Sequence, residues 1–318
     1  MKKSFFTIII PLYNKENFVQ KTIDSVFKQT FQDFEVLIIE DCSTDKSLAI
    51  AQLNENKRVK IIRHYKNKGL SASRNTGIIN ANSDFLVFLD ADDLLKPMYL
   101  EKLFSLINNF PTAKLFATNY EEVFNKNKII NTIINLENAD DCLINDFFEA
   151  NIKQPLYSPS SLCVEKTVFY EIGFYNEKIT YSEDVDFNIR ANIKFKLAYS
   201  NEKLVQQIKT DVNQITNSSI LGKIIPDFDS YEHLSTNKPF VKKYLDINRY
   251  MLASLFKKEG DLETYKKLKN GIDKNPKVSG LNYKQILLLE LPSTLLKIIK
   301  IIKKKLNQNG YHFSSFTK

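Results

Sequence analysis

The first hundred residues alternate between two hydrophobic rhythms. Short, nearly continuous apolar runs occupy residues 5–10, 34–39, 59–62 and 85–89, as strands covered on both faces require. Between them, apolar residues recur at helical spacing. Phe18, Val19, Ile23, Val26 and Phe27 form one such stripe after Asn14, which reads as its N-cap. A second helix is predicted after Asp45, a third over residues 70–81 and a fourth near Pro97, a residue favoured in a first turn. Alternating strands and helices predict an α/β fold with a mostly parallel central sheet flanked by helices. In such a sheet, ligands gather at the carboxyl ends of the strands.

Past Ala113 the rhythm is less regular, with a strand-like "KLFATNY", an Asn-rich connector and then "SPSSLCVEKTVFYEIGFYNE". From about Lys223 helices rich in Lys and Leu take over, as in "PFVKKYLDINRYMLASLFKKEG". The expected organisation is a domain over residues 1–222 and a helical extension over 223–318, consistent with a length of 318 residues, above the usual single-domain size.

Composition narrows the class. With 43% hydrophobic and 26% charged residues the chain is neither disordered nor fibrous. Lys and Arg outnumber Asp and Glu by 45 to 37, a net +8, which favours anionic partners without choosing among nucleotides, phospholipid surfaces and nucleic acid. Cys42, Cys142 and Cys163 are odd in number and lack C-x-x-C spacing, so neither a disulfide framework nor a zinc site is suggested, and a cytoplasmic location fits. The opening "MKKSFFTIIIPLYN" has a signal-like start, but no small-residue cleavage site follows, and it reads as a first strand. No uncharged apolar run reaches about 18 residues, so no membrane span is expected.

The candidate chemistry begins at "FLDADD", where Asp90, Asp92 and Asp93 crowd the end of an apolar strand. Carboxylates this close resist ionisation unless positive charge offsets them. Mg²⁺ or Mn²⁺ is the expected cofactor, because hard cations take carboxylate oxygens and leave part of their shell to a substrate's phosphates. Three more polar clusters fall at predicted strand ends: "PLYN" (residues 11–14), "EDCSTD" (40–45) and "NKGLSASRNTG" (67–77). Alone, the second is a turn with a cap and the third a helix start. In this order, and joined by "SEDVDFNIR" downstream, they resemble the family 2 glycosyltransferases over residues 5–220.

That resemblance implies a GT-A fold and transfer of a sugar from a nucleotide diphosphate with inversion. It places Pro11, Tyr13, Asn14 and Asp41 in the nucleoside pocket, Tyr13 as a stacking face and Asp41 as an acceptor for a base N–H. Lys68 and Arg74 would meet the diphosphate. Asp90 and Ala91 would line the ribose or a metal-bound water, and Asp92 with Asp90 would hold the metal. Asp93 would lie behind them or cap the helix near Pro97. Asp184 is the expected general base, Glu183 an acceptor contact, and Gly173 and Phe174 part of the acceptor loop, while Asp186 would cap the helix that follows. Departures are Glu40 and Cys42, where the family commonly has Asp and Gly. No His occurs in "IKTDVNQITNSS", where some relatives complete the metal shell; His233 is a weak substitute, and His64 and His312 look like surface residues.

The implied partners are a UDP-sugar donor, carrying a hexose or N-acetylhexosamine, and a glycan or lipid-linked acceptor of a surface polysaccharide, with no nucleic acid. In the tail, Leu295, Ile298, Ile299, Ile302 and Leu306 share a helical face from which Lys297, Lys300 and Lys304 point away. Two interpretations of 286–306 stay open: a helix lying on the anionic inner face of a membrane, or one packed on the catalytic domain or another subunit. A haloacid-dehalogenase-like phosphotransferase also uses D-x-D, but its nucleophilic Asp sits near the chain start with Thr or Val where Leu94 stands here. A non-catalytic sugar-nucleotide or glycan-binding module would have no use for Asp184 as a base.

Overall fold

The computed structural model describes residues 3–125, 128–131, 141–209 and 218–292, together with 295, 298 and 302. They fall into two compact units, one drawn from residues 1–147, 154–217 and 224–226, the other from 148–153, 218–223 and 227–318.

In the first unit, β1 (Phe6–Leu12), β2 (Phe34–Glu40), β3 (Val59–Arg63) and β4 (Phe85–Phe88) alternate with α1 (Val19–Phe27), α2 (Ser47–Gln52) and α3 (Leu70–Asn80). Then come β5 (Leu94–Leu95), α4 (Tyr99–Asn109), β6 (Leu115–Asn125), β7 (Lys128–Asn131) and β8 (Cys142–Leu143), followed by the single turn α5 (Phe147–Ala150), most of which belongs to the second unit. After β9 (Leu162–Glu165), α6 (Thr167–Ile172) and α7 (Glu183–Asn192), β10 (Leu197–Ile208) closes the unit. One sheet holds these strands in the order β3-β2-β1-β4-β9-β6-β10-β5, with β7 on β6 and β8 on β10. The stretch β3-β2-β1-β4 is parallel, as the alternation of elements predicts, and β6 runs parallel to β10. Inserted between the two parallel groups, β9 is antiparallel to both β4 and β6.

The central strands show why their sequence is mostly apolar: all of β2 is buried, as is β1 except for Pro11, and the buried Thr7 donates to the buried Glu35 at 2.8 Å. Burying each Ile of β1 is worth about 1.5–3 kcal/mol. Helix α3 lies against this strand so closely that a Cβ at Gly77 would stand 2.3 Å from Cγ2 of Ile9; only glycine permits the approach. The helical stripe of α1 buries Val19, Ile23 and Val26, as its spacing predicts. Asn14 is not its cap, however. The helix starts five residues later, after a turn in which the Lys15 carbonyl accepts from the N–H groups of Phe18 and Val19.

The second unit is built on α8 (Pro239–Glu259), with α9 (Leu262–Asn270), α10 (Pro276–Ser279) and α11 (Tyr283–Glu290). Its centre holds a buried Arg249 that bonds Asp229 at 2.8 Å and Asp246 at 3.0 Å and also pairs with Glu232. A Cβ at Gly271 would come within 2.8 Å of the Arg249 Nε.

Candidate active site

Two loops at the carboxyl ends of β1 and β2 are laced together. Asn14 adopts a left-handed backbone (φ 52°), which Asn tolerates better than most residues. In that pose its side-chain oxygen accepts from the Thr44 N–H at 2.8 Å, while its own N–H donates to the Ser43 hydroxyl at 3.2 Å. Lys15 N donates to Ser47 Oγ at 2.7 Å, Glu16 N to Asp45 at 3.1 Å, and Lys46 N to Glu16 at 2.9 Å. Asn14 therefore ties its own loop to the one after β2 through Thr44. Tyr13 beside it keeps 44% of its surface exposed, and Pro11 sits in β1, partly buried.

Asp41 lies at the end of β2, where it ties three segments together. Its Oδ1 accepts from Lys68 N at 2.8 Å and lies 2.7 Å from Nδ1 of His64, and Oδ2 accepts from Gly69 N at 2.8 Å. Gly69 can turn its N–H inward because its φ of +87° suits glycine. A carboxylate offers about four acceptor sites, so these contacts take three of them and leave one on Oδ2, at a residue 3% exposed. His64 is buried, contrary to its surface expectation, with Nε2 2.9 Å from the Thr76 hydroxyl. Lys68 is exposed and its ammonium lies 5.3 Å from the centre of the Tyr65 ring.

The acidic turn disperses its charge in three ways. Asp90 pairs with Arg74 at 3.2 Å, and Asp92 with Lys15 at 2.8 Å. Asp93 is buried: burial first, then the charges of Asp90 and Asp92, push its carboxyl well above the usual range. It caps no helix, since α4 begins after Met98; instead it accepts from the Ser160 hydroxyl at 2.6 Å and from Ile208 N at 3.1 Å. The same Ser160 hydroxyl accepts from Asp90 N, and Thr22 donates to the carbonyls of Ala91 and Asp93. Ala91 turns its methyl into the hydrophobic core and offers a ligand only backbone.

Among the described residues, no three His, Cys, Asp or Glu side chains are grouped to hold a metal on their own. A cation that draws phosphates into its shell needs only one or two carboxylates. Asp90 and Asp92 offer that oxygen set, with the Asp90 side chain 31% exposed.

Arg74, expected on the diphosphate, is held between two carboxylates in the structure. It is 1% exposed and bridges Asp90 and Glu183, the latter at 2.8 Å, while its guanidinium lies 5.2 Å from the centre of the Tyr175 ring. Its Nε has no hydrogen-bond partner among the described residues. The sequence separation from Glu183 to Arg74 is 109 residues, so no local pattern could have forecast this pair. The bridge brings the acidic turn and the start of α7 to one place. There Asp184 is half-buried; burial, and then the Glu183 carboxylate, raise its pKa to about 6, with Arg74 opposing. Glu183, expected on the acceptor, spends one oxygen on Arg74.

Asp186 is not the cap of α7 either. It pairs with Arg190 at 2.7 Å, and Arg190 donates to the carbonyls of Ile172, Gly173 and Phe174 at 2.9, 3.1 and 3.0 Å. This clamp fixes the loop that carries Gly173, which is exposed with φ +85°, and Phe174, whose ring lies 6.2 Å from that of Phe169. Asn75 on α3 holds the next residues, exchanging bonds with the Tyr175 backbone and donating to Glu177 at 2.9 Å. Ser160, His64, Asn75 and Lys15 escape sequence reasoning, because nothing local distinguishes them from turn and surface residues. His233 belongs to the second unit and bonds the Ser230 carbonyl; His312 and most of "IKTDVNQITNSS" lie outside the described residues.

With this geometry in hand, the similarities are informative. Residues 7–172 match the family model described as Glycosyl transferase family 2. Among curated proteins, the chain is 36% identical to the glycosyltransferase GlyA of Streptococcus pneumoniae over 115 residues, 36% of this chain and 16% of that protein. It is 25% identical to the uncharacterized glycosyltransferase RT0329 of Rickettsia typhi over 275 residues, covering 81% and 82% of the two chains. The chain spans less than half the length of the first curated relatives it matches. Among solved structures it shares its fold with S. aureus TarS at a TM-score of 0.65 and 18% identity, covering 89% of this chain and 52% of TarS. It also matches TarS 1-349 in complex with UDP-GlcNAc at a TM-score of 0.60 and 18% identity, with 84% and 90% covered.

Proposed function

The chain belongs to glycosyl transferase family 2, and on that footing we propose that it moves a hexose or N-acetylhexosamine from a UDP-sugar to a hydroxyl of a surface glycan, with inversion. The observation that carries this proposal is the Arg74 bridge, which sets the acidic turn beside a carboxylate whose pKa suits a base. TarS, with the same fold, binds UDP and UDP-GlcNAc, which supports a uridine donor. The uracil would stack on Tyr13 and donate its N–H to the open site on Asp41. Asp90 and Asp92 would hold Mg²⁺ or Mn²⁺, which when bound offsets charge on the departing UDP. Asp184 would take the proton of the acceptor hydroxyl on the face opposite the leaving group, as an in-line displacement requires. The Arg190 clamp holds the acceptor loop in place during this step.

Replacing Asp92 with Ala tests the donor half of the proposal. Calorimetric titration of UDP with and without Mn²⁺ should show metal-dependent affinity in the parent and at least a tenfold loss of it in the variant, on the order of one charged hydrogen-bonded contact. Equal UDP affinity in all four titrations would remove the metal from the site.

For the tail, we propose contact with an anionic membrane where a lipid-linked acceptor would be met. Leu295, Ile298 and Ile302 are helical and 41%, 51% and 52% exposed on a shared face, in a segment carrying Lys297, Lys300 and Lys303–Lys305. Ile299 and Leu306 of the same predicted face lie outside the described residues. No helix among the described residues is long and apolar enough to cross a membrane. The full chain should co-sediment with phosphatidylglycerol vesicles and lose that binding in high salt or on Ile298→Asp; equal sedimentation with neutral phosphatidylcholine vesicles, or none, would discard the proposal.

A further inference from the structure

Lys15 is the second cation on the acidic turn, and its role has no counterpart in the donor assignments above. Its backbone is fixed at both ends: the N–H donates to Ser47 at 2.7 Å and the carbonyl accepts from Phe18 and Val19 at 2.9 Å. The flexible four-carbon stem then carries the ammonium to Oδ2 of Asp92 at 2.8 Å, in a pair whose side chains are only 14% and 8% exposed. Asp92 is the carboxylate expected to grip a divalent cation. An ammonium and a divalent cation repel, and both draw on the same small group of oxygens, so each weakens the other there. A lysine is suited to exchange, since its point charge and three rotatable donors can follow a phosphate with no fixed geometry. Arg74 could not do this, being buried between two carboxylates. Lys68 points its ammonium at Tyr65.

We propose that Lys15 guards Asp92 until the donor arrives: its ammonium holds the carboxylate in the donor-free protein and passes to the diphosphate of the bound nucleotide, releasing Asp92 to a divalent cation. The inference rests on the UDP-sugar proposal and deepens it. It makes nucleotide and metal binding mutually supportive, because each removes a competitor of the other, and by linkage the effect must be equal in both directions.

The test measures Mn²⁺ binding by electron paramagnetic resonance, with and without UDP, in the full chain and in Lys15→Met and Lys15→Arg, with folding checked by circular dichroism. Without UDP, Lys15→Met should bind Mn²⁺ about five- to tenfold more tightly than the parent, within the usual range of coupling between sites. It should also bind UDP more weakly, and UDP should sharpen its Mn²⁺ affinity by a smaller factor than in the parent, the part left being direct coordination by the phosphates. Lys15→Arg, which keeps the charge, should restore the parent's order of affinities. If Lys15→Met is misfolded, Lys15→Gln carries the same comparison. Mn²⁺ affinity that is unchanged or weaker when the charge is removed overturns the exchange, whatever UDP does. A parent chain that binds no UDP at all removes the donor proposal instead, and this inference with it.

Discussion

Asp184→Asn is expected to leave UDP affinity within about twofold of the parent while lowering transfer by about 10²–10⁴, the usual worth of a positioned general base. The substitution keeps size and polarity and removes only the capacity to accept a proton. The pH profile gives the sharper readout. A base works in its deprotonated form, and burial together with Glu183 raises the Asp184 pKa from the ordinary carboxylate range to about 6. Turnover, followed as UDP release at saturating donor, should therefore plateau above that pH and fall about tenfold per unit below it. In Asp184→Asn the residual rate should lose this acidic limb. A variant that retains the limb, or transfers at the parental rate, takes the proton-accepting role away from Asp184.

Arg74→Met is expected to damage stability and transfer together. Methionine approximates the stem but leaves two carboxylates without their shared cation. Asp90 is partly exposed and can rehydrate, whereas Glu183 is buried, so most of the cost falls there. Breaking a buried pair from one side costs about 3–5 kcal/mol, a loss readable from the urea unfolding midpoint. Adding Glu183→Gln should recover part of it, because the stranded charge is gone. Arg74→Lys should fall between, since a single ammonium cannot reproduce the planar fork that spans both partners. If Arg74 were chiefly a diphosphate contact, Arg74→Met would weaken UDP binding at unchanged stability; that result would withdraw the bridge as the organiser of the site.

The strands β1, β2 and β4 are legible in the sequence because a strand covered on both faces has to be mostly apolar, and little else makes so short and nearly continuous a run. The acidic turn is legible because three carboxylates at a strand end demand an explanation. Arg74 is legible as a candidate diphosphate contact, but its pairing with Glu183 is not, because that partner comes from 109 residues away. Asn14 is misjudged as a cap because its left-handed backbone depends on the Ser43 and Thr44 partners across the loop. Lys15 is hidden by abundance, one cation among 45 Lys and Arg residues. The antiparallel β9 is unreadable for a different reason: strand direction is decided by which edge is open when the segment docks, and β4 and β6 offer that slot only in three dimensions.

The lacing of the β1–α1 and β2–α2 loops bears on how the molecule meets a nucleotide. Six hydrogen bonds already join residues 14–16 to residues 43–47, so this stretch is preorganised and, on the proposed function, arrival of a base would have little chain left to freeze. The entropic penalty that weakens recognition by floppy loops is largely absent here. On the proposed uridine donor, recognition of the base would then rest on a fixed wall and on the Asp41 carboxylate, with no closing motion of these two loops.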